Sequence, residues 1–165
     1  MGLTGANKMR LAEAKRLSLQ LLETTWAVYF TTIDEKGFPQ TRAMDNLRSK
    51  ERFPRLASLF ETHKDDFRIL LSTNTSSTKI ENIQKNPAVS AYYCIPREFR
   101  GVMFGGTVEV VQDSKLKEAI WHNYWTRYYP KGVTDPDYTV LNLYPKYAKG
   151  WNGQATFNFT LKGSK

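Results

Sequence analysis

The period of the apolar positions changes several times along the chain, and each change marks an element. Over about 7–24, Leu11, Ala14, Leu17, Leu21 and Leu22 fall on one helical stripe, which predicts an amphipathic helix. From Trp26 to Thr32 the chain becomes β-branched and aromatic. Asp34 to Gly37 is turn chemistry, and a strand resumes after Pro39, so this region reads as a hairpin. "RLASLFETH" reads as a short helix and "FRILLST" as a compact buried strand. Seven consecutive residues, Ser72 to Thr78, are then all Ser, Thr or Asn. The following "TKIE" has the pattern of a capping box, with Thr78 as N-cap and Glu81 three residues on. Ile80 and Ile83 give that helix an apolar face, and Asn86-Pro87 ends it.

"AVSAYYCI" and "GVMFGGTVEVV" predict two more strands. A helix opens at Asp113 or Ser114 and runs to about Tyr128, with Leu116, Ile120 and Tyr124 in line. After a loop at "YPKGVTDPDY", the segments "TVLNLYP", "YAKGWN" and "ATFNFTL" read as three closing strands. Strands dominate, about seven of them, joined by hairpins and short helices rather than by regular helical crossovers. That pattern predicts a mainly β (α+β) fold, an antiparallel sheet closed into a barrel with short peripheral helices. No repeat or linker interrupts it. The expectation is one domain over 1–165, with the N-terminal helix at about 7–24 and the barrel at about 26–161.

Composition narrows the class. Hydrophobic residues make up 41% of the chain and no apolar run approaches membrane-spanning length, so a soluble protein is expected, with no membrane partner. "MGLTGANKMR" lacks the apolar core of an export signal. Met1-Gly2 opens like an acylation motif, but Ala6 stands where Ser or Thr is required. Cys94 is the single cysteine, so no intrachain disulfide forms, and its apolar setting suggests a buried thiol. Together these predict a cytoplasmic protein. The net charge of +8 points to anionic ligands. The basic residues are scattered, however, and no block of five occurs, which disfavours a specific nucleic-acid surface. His63 and His122 are the only histidines and have no metal-ligand spacing, so no metal site is expected.

The hydroxyl-rich stretch carries the chemistry. A helix N-terminus offers unpaired N–H groups and the positive end of a dipole. Hydroxyls before it and Lys79 in its first turn would suit phosphate. There is no glycine, so this is not a P-loop. Ser and Thr are also ordinary caps, so the stretch by itself leaves a phosphate site and a plain helix start both open. Arg42 shifts the balance. It lies in the strand "QTRAMDNL", which is expected to neighbour the Ile69 strand, and a guanidinium fork inside a sheet suits an anion.

The hairpin with Arg42, then "STNTSSTK", "NPAVSAYY" and "VMFGGTVEVV", resembles the FMN-binding split barrels related to pyridoxine 5′-phosphate oxidase. The general stress protein branch is the nearest, and the resemblance runs from about Trp26 to Trp151. It implies an antiparallel split barrel and a homodimer with FMN at the interface. It assigns to the cofactor Arg42 with the backbone of Ala43, Met44 and Asp45, then Ser72 and Thr73, and Ser77, Thr78 and Lys79 at the phosphate. Trp151 is placed near the flavin. An FMN-dependent oxidoreductase is implied, with no catalytic side chain to name. A non-catalytic flavin holder, a haem- or deazaflavin-binding relative and a polyanion binder are the alternatives. The sequence also departs from the oxidase: Leu47, Phe157, Phe159 and Leu161 stand where Lys, Arg, His and a second Arg are expected. Vitamin B6 oxidation is therefore not expected. Phe157 and Phe159 are expected instead to line an apolar pocket beside the flavin, suited to a flat uncharged ligand.

Overall fold

A computed structural model describes residues 7–162. The acylation-like Met1-Gly2 and Ala6 lie outside the described residues. Seven strands form one antiparallel sheet: β1 (Ala27–Ile33), β2 (Pro39–Asp45), β3 (Ile69–Asn74), β4 (Ala88–Ile95), β5 (Arg100–Val110), β6 (Tyr138–Asn152) and β7 (Ala155–Thr160). Three α-helices accompany them: α1 (Leu11–Thr24), α2 (Thr78–Lys85) and α3 (Ser114–Ile120). The strand order is β2-β1-β4-β5-β6-β3, and β7 pairs with β6. The long β6 places β3 beside its first half and β7 beside its second. β2 and β3, at opposite ends of the order, approach each other, so the sheet is curled into the expected split barrel.

The register explains which face became the core. Phe30, Ala91, Phe104, Ala148 and Phe159 pair in turn across five strands, and all are buried. The neighbouring row on the opposite face, Tyr29, Tyr92, Met103, Lys149 and Asn158, is partly or fully exposed. Side chains alternate with period two, so one register fixes both rows. α1 lays Ala14, Leu17, Leu21 and Leu22 on the inner row's cluster. A second apolar cluster, with Leu47, Phe60, Ile120, Trp125 and Tyr138, fills the space around the end of β3.

Several boundaries differ from the sequence reading. α1 begins at Leu11 rather than residue 7, because the preceding residues extend along β7: Met9 N–H donates to Thr156 O and Thr156 N–H donates to Asn7 O. The "RLASLFETH" helix is a 3₁₀ segment, Pro54–His63. α3 ends at Ile120, where Trp121 leaves helical geometry at ψ 133, and a separate 3₁₀ turn covers Asn123–Arg127. Asp113 is its N-cap, accepting from the Lys115 and Leu116 N–H groups. The strands expected on either side of Lys146 are one strand, β6, whose register against β5 shifts between Gly105 and Gly106, opposite Pro145 and Tyr147. Pro145 has no N–H to give the ladder, and the irregularity absorbs that loss.

Candidate functional site

The gap between β2 and β3 forms a cavity of about 340 Å³. β2 contributes Arg42, Ala43, Met44 and Asp45, β3 contributes Ser72, Thr73 and Asn74, and α2 contributes Lys79. Seven of the predicted cofactor residues therefore converge on one cleft.

The two cations arrive by different routes. Arg42 pairs with Phe30 across the hairpin, so it stands on the inward side of an edge strand, with no further strand to cover it. Its NH1 donates to Thr32 Oγ1 at 2.9 Å and to Phe30 O at 3.3 Å. Thr32 is fully buried and is held in turn by Asn82 Nδ2 at 3.1 Å. Lys79 sits in the first turn of α2 and donates from Nζ to Thr73 Oγ1 at 2.8 Å. Burial first, then the Arg42 charge, hold the Lys79 ammonium below its ordinary value of 10.5. Burial lowers Arg42 as well, but a guanidinium stays charged. Among the described residues no carboxylate forms an ion pair with either; Asp137 acts on Lys79 only from a distance. Two half-buried cations that repel each other would suit a doubly charged anion.

The hydroxyl-rich loop is shaped by a partner in the segment that the sequence reading took for a plain loop. The Asp137 carboxylate accepts from Asn74 Nδ2 at 2.6 Å and from Ser76 N–H at 2.7 Å, and these bonds, Asn74 first, pull its pKa below the usual range. Thr75 N–H donates to Asp137 O and Thr75 Oγ1 to Pro136 O. The capping box is corrected. Ser77 is the N-cap of α2, and no side chain caps that end. The Ser77 hydroxyl turns back to donate to Asn74 O at 2.7 Å, and Thr78 is the first helical residue. Neither Ser77 nor Thr78 lines the cavity.

Trp151 lies elsewhere. It stands on the outer face of β6, ring to ring with Tyr92 at 5.5 Å and packed over Gly101, 37% exposed. The oxidase-departure positions are also corrected. Leu47, Phe157 and Phe159 are 1%, 2% and 7% exposed and belong to the core clusters, and neither phenylalanine lines a cavity described among these residues. Cys94 is half-buried rather than buried.

The far wall of the cavity was not anticipated. Tyr124, Trp125, Tyr128 and Tyr129, all after α3, close it with aromatic surface. Trp125 and Tyr129 are buried, and Tyr129 is pushed up to about 12, chiefly by burial. Tyr124 and Tyr128 are exposed, with the Arg127 guanidinium 4.9 and 5.1 Å from their ring centroids. The signal was present as "YWTRYY", but the sequence reading laid it along a helix that ends before it. No group of three metal-ligating side chains occurs among the described residues, and no described helix is long and apolar enough to cross a membrane.

Comparison with known proteins agrees with this fold. A family model described as pyridoxamine 5′-phosphate oxidase matches residues 16–152. No curated protein matches. Among solved structures, a protein related to general stress protein 26 of B. subtilis, from Clostridium acetobutylicum, superposes with a TM-score of 0.72 at 28% identity, covering 90% of this chain and 94% of that one. General stress protein 26 of Bacillus anthracis superposes at 0.64 with 18% identity, over 84% and 93% of the two chains. A structure titled F420 reductase superposes at 0.51 with 22% identity, over 78% and 93%. The latter two likenesses are of fold.

Proposed function

The chain belongs to the pyridoxamine 5′-phosphate oxidase family, and from that premise we propose that it is an FMN-binding protein of the general stress protein branch. The observation that carries this reading is the pair of unpaired cations, Arg42 and Lys79, facing one cleft. Their donor set fits a phosphate monoester. Arg42 and Lys79 would hold the phosphate, with the Ser72 and Thr73 hydroxyls beside them. The β2 backbone from Ala43 to Asp45 would run along the rest of the cofactor. A bound flavin supplies redox chemistry; the chain supplies position, charge and exclusion of water.

A second copy of the chain is part of the reading. Trp151, Tyr92 and Tyr29 pack ring to ring on the outer sheet face, which also exposes Tyr147, an arrangement that suits a homodimer in which the partner's face covers the flavin. The vitamin's own phosphate would find no cation at Leu47, Phe157 or Phe159, all buried, so pyridoxine 5′-phosphate is not expected as the substrate.

The test is titration of the purified protein with FMN and with riboflavin, followed by flavin fluorescence. FMN is expected to bind much more tightly, because only it carries the phosphate. Equal affinity would remove the reading. The visible spectrum of protein as purified separates FMN from a deazaflavin or haem.

A further inference from the structure

A second compartment of about 330 Å³ adjoins the cleft, lined by Trp26, Phe53, His122 and Tyr124 together with Glu51 and Arg52. Tyr124 lines both spaces. We propose that this compartment binds an uncharged, electron-poor planar ring bearing carbonyl oxygens, the chemistry of a quinone.

The walls set the ring. Phe53 and His122 meet edge to face at 5.8 Å, and His122 and Tyr124 at 5.2 Å. Trp26 is 64% exposed beside the cavity, with the Arg52 guanidinium over one face of its ring. Such electron-rich faces attract electron-poor rings. The volume is at the lower end of ~300–1,000 Å³ typical of small-molecule pockets.

The charges exclude an anion. Arg52, the compartment's cation, is already committed. Its NH1 lies 2.7 Å from Asp45 and donates to Trp26 O at 3.0 Å, and its guanidinium sits 4.4 Å from the Trp26 ring centroid. Glu51 adds negative charge at the edge. Phosphate therefore belongs at Arg42 and Lys79, and an uncharged ligand belongs here. One polar group remains. His122 Nδ1 accepts the Tyr124 N–H at 3.4 Å, which leaves the ring proton of the neutral imidazole on Nε2. That N–H has no partner among the described residues and can donate to a carbonyl oxygen.

Binding here does not depend on the cofactor. That the occupant is the flavin's reaction partner rests on the FMN reading, through the shared Tyr124 wall.

The probe is duroquinone, fully substituted and so unreactive toward Cys94, with durene as its analogue lacking the oxygens. Binding is measured by calorimetry and by saturation-transfer NMR on wild-type, Trp26→Ala, His122→Phe and Arg42→Ala proteins. Trp26→Ala is expected to weaken duroquinone roughly three- to tenfold, the effect of one lost aromatic contact. His122→Phe should weaken duroquinone and leave durene unchanged, which separates loss of the donor from damage to the pocket. Arg42→Ala should lower FMN affinity and leave duroquinone unchanged. The proposal falls if duroquinone does not bind, if Trp26→Ala leaves its affinity intact, if durene weakens as much as duroquinone in His122→Phe, or if Arg42→Ala abolishes it. Trp26-dependent binding in a protein that fails to take FMN would uphold this site and overturn the cofactor reading.

Discussion

Arg42 and Lys79 lie close enough for one cation to depress the other's pKa, a cost that an anion between them removes. Lys79→Ala and Arg42→Ala are each expected to reduce FMN affinity by about 1–3 kcal/mol, the range for charge-assisted hydrogen bonds, while riboflavin affinity stays nearly constant. Arg42→Lys should restore only part of the loss, since an ammonium lacks the planar fork. The pH dependence follows from the sign of the Lys79 shift. Its pKa in the free protein lies below 10.5, and FMN favours the charged form. Affinity is therefore full below that pKa and falls as pH rises through it, earlier than for an ordinary lysine. In the folded apoprotein the charged lysine is destabilising at neutral pH. Inorganic phosphate should thus raise the melting temperature at pH 7 and lose that effect in alkali. A phosphate effect independent of pH and of Lys79 would contradict this account.

The elements are held by less conspicuous residues. α3 starts at Asp113, whose carboxylate takes two N–H groups, so Asp113→Ala should cost about 1 kcal/mol by denaturant unfolding. Thr78→Ala should cost little, because Thr78 caps nothing. The reverse order of these two costs would restore the capping box. Gly106 sits at the register shift of β5, where a Cβ would collide with the Tyr144 carbonyl oxygen. Backbone cannot swing aside as a flexible side chain can, so Gly106→Ala should destabilise by roughly 1–3 kcal/mol.

At the scale of the whole molecule, the outer sheet face presents exposed aromatic residues. Its aromatic residues lie on the face opposite the buried row, and Tyr29, Tyr147 and Trp151 among them are exposed. Sedimentation at micromolar concentration is expected to give the mass of a dimer, and Trp151→Glu to shift it toward monomer with the fold retained. A monomer that still binds FMN tightly would contradict the two-chain site. Steady-state assays with added FMN should find no turnover of pyridoxine 5′-phosphate at enzyme-like rates of roughly 1 per second or faster.

The sequence by itself determined the elements whose signals are local. β4 matched its expected bounds, and the hairpin was legible from alternation and turn residues. The cleft was legible in part because Lys79 and Thr73 sit six residues apart across one strand–helix junction. What the sequence could not decide were pairings between distant segments. Ser77 and Thr78 were expected beside the cleft but do not line it, and Asp137, 61 residues beyond Ser76, holds their loop through the Ser76 N–H. Phe157 and Phe159 looked like pocket residues, yet the β6–β7 register sends both to the core face. The aromatic wall after α3 reaches the cleft only because that helix stops at Trp121. Local pattern fixes which residues alternate, whereas long-range register and the curl of the sheet fix which side of each alternation meets the core, the cleft or water.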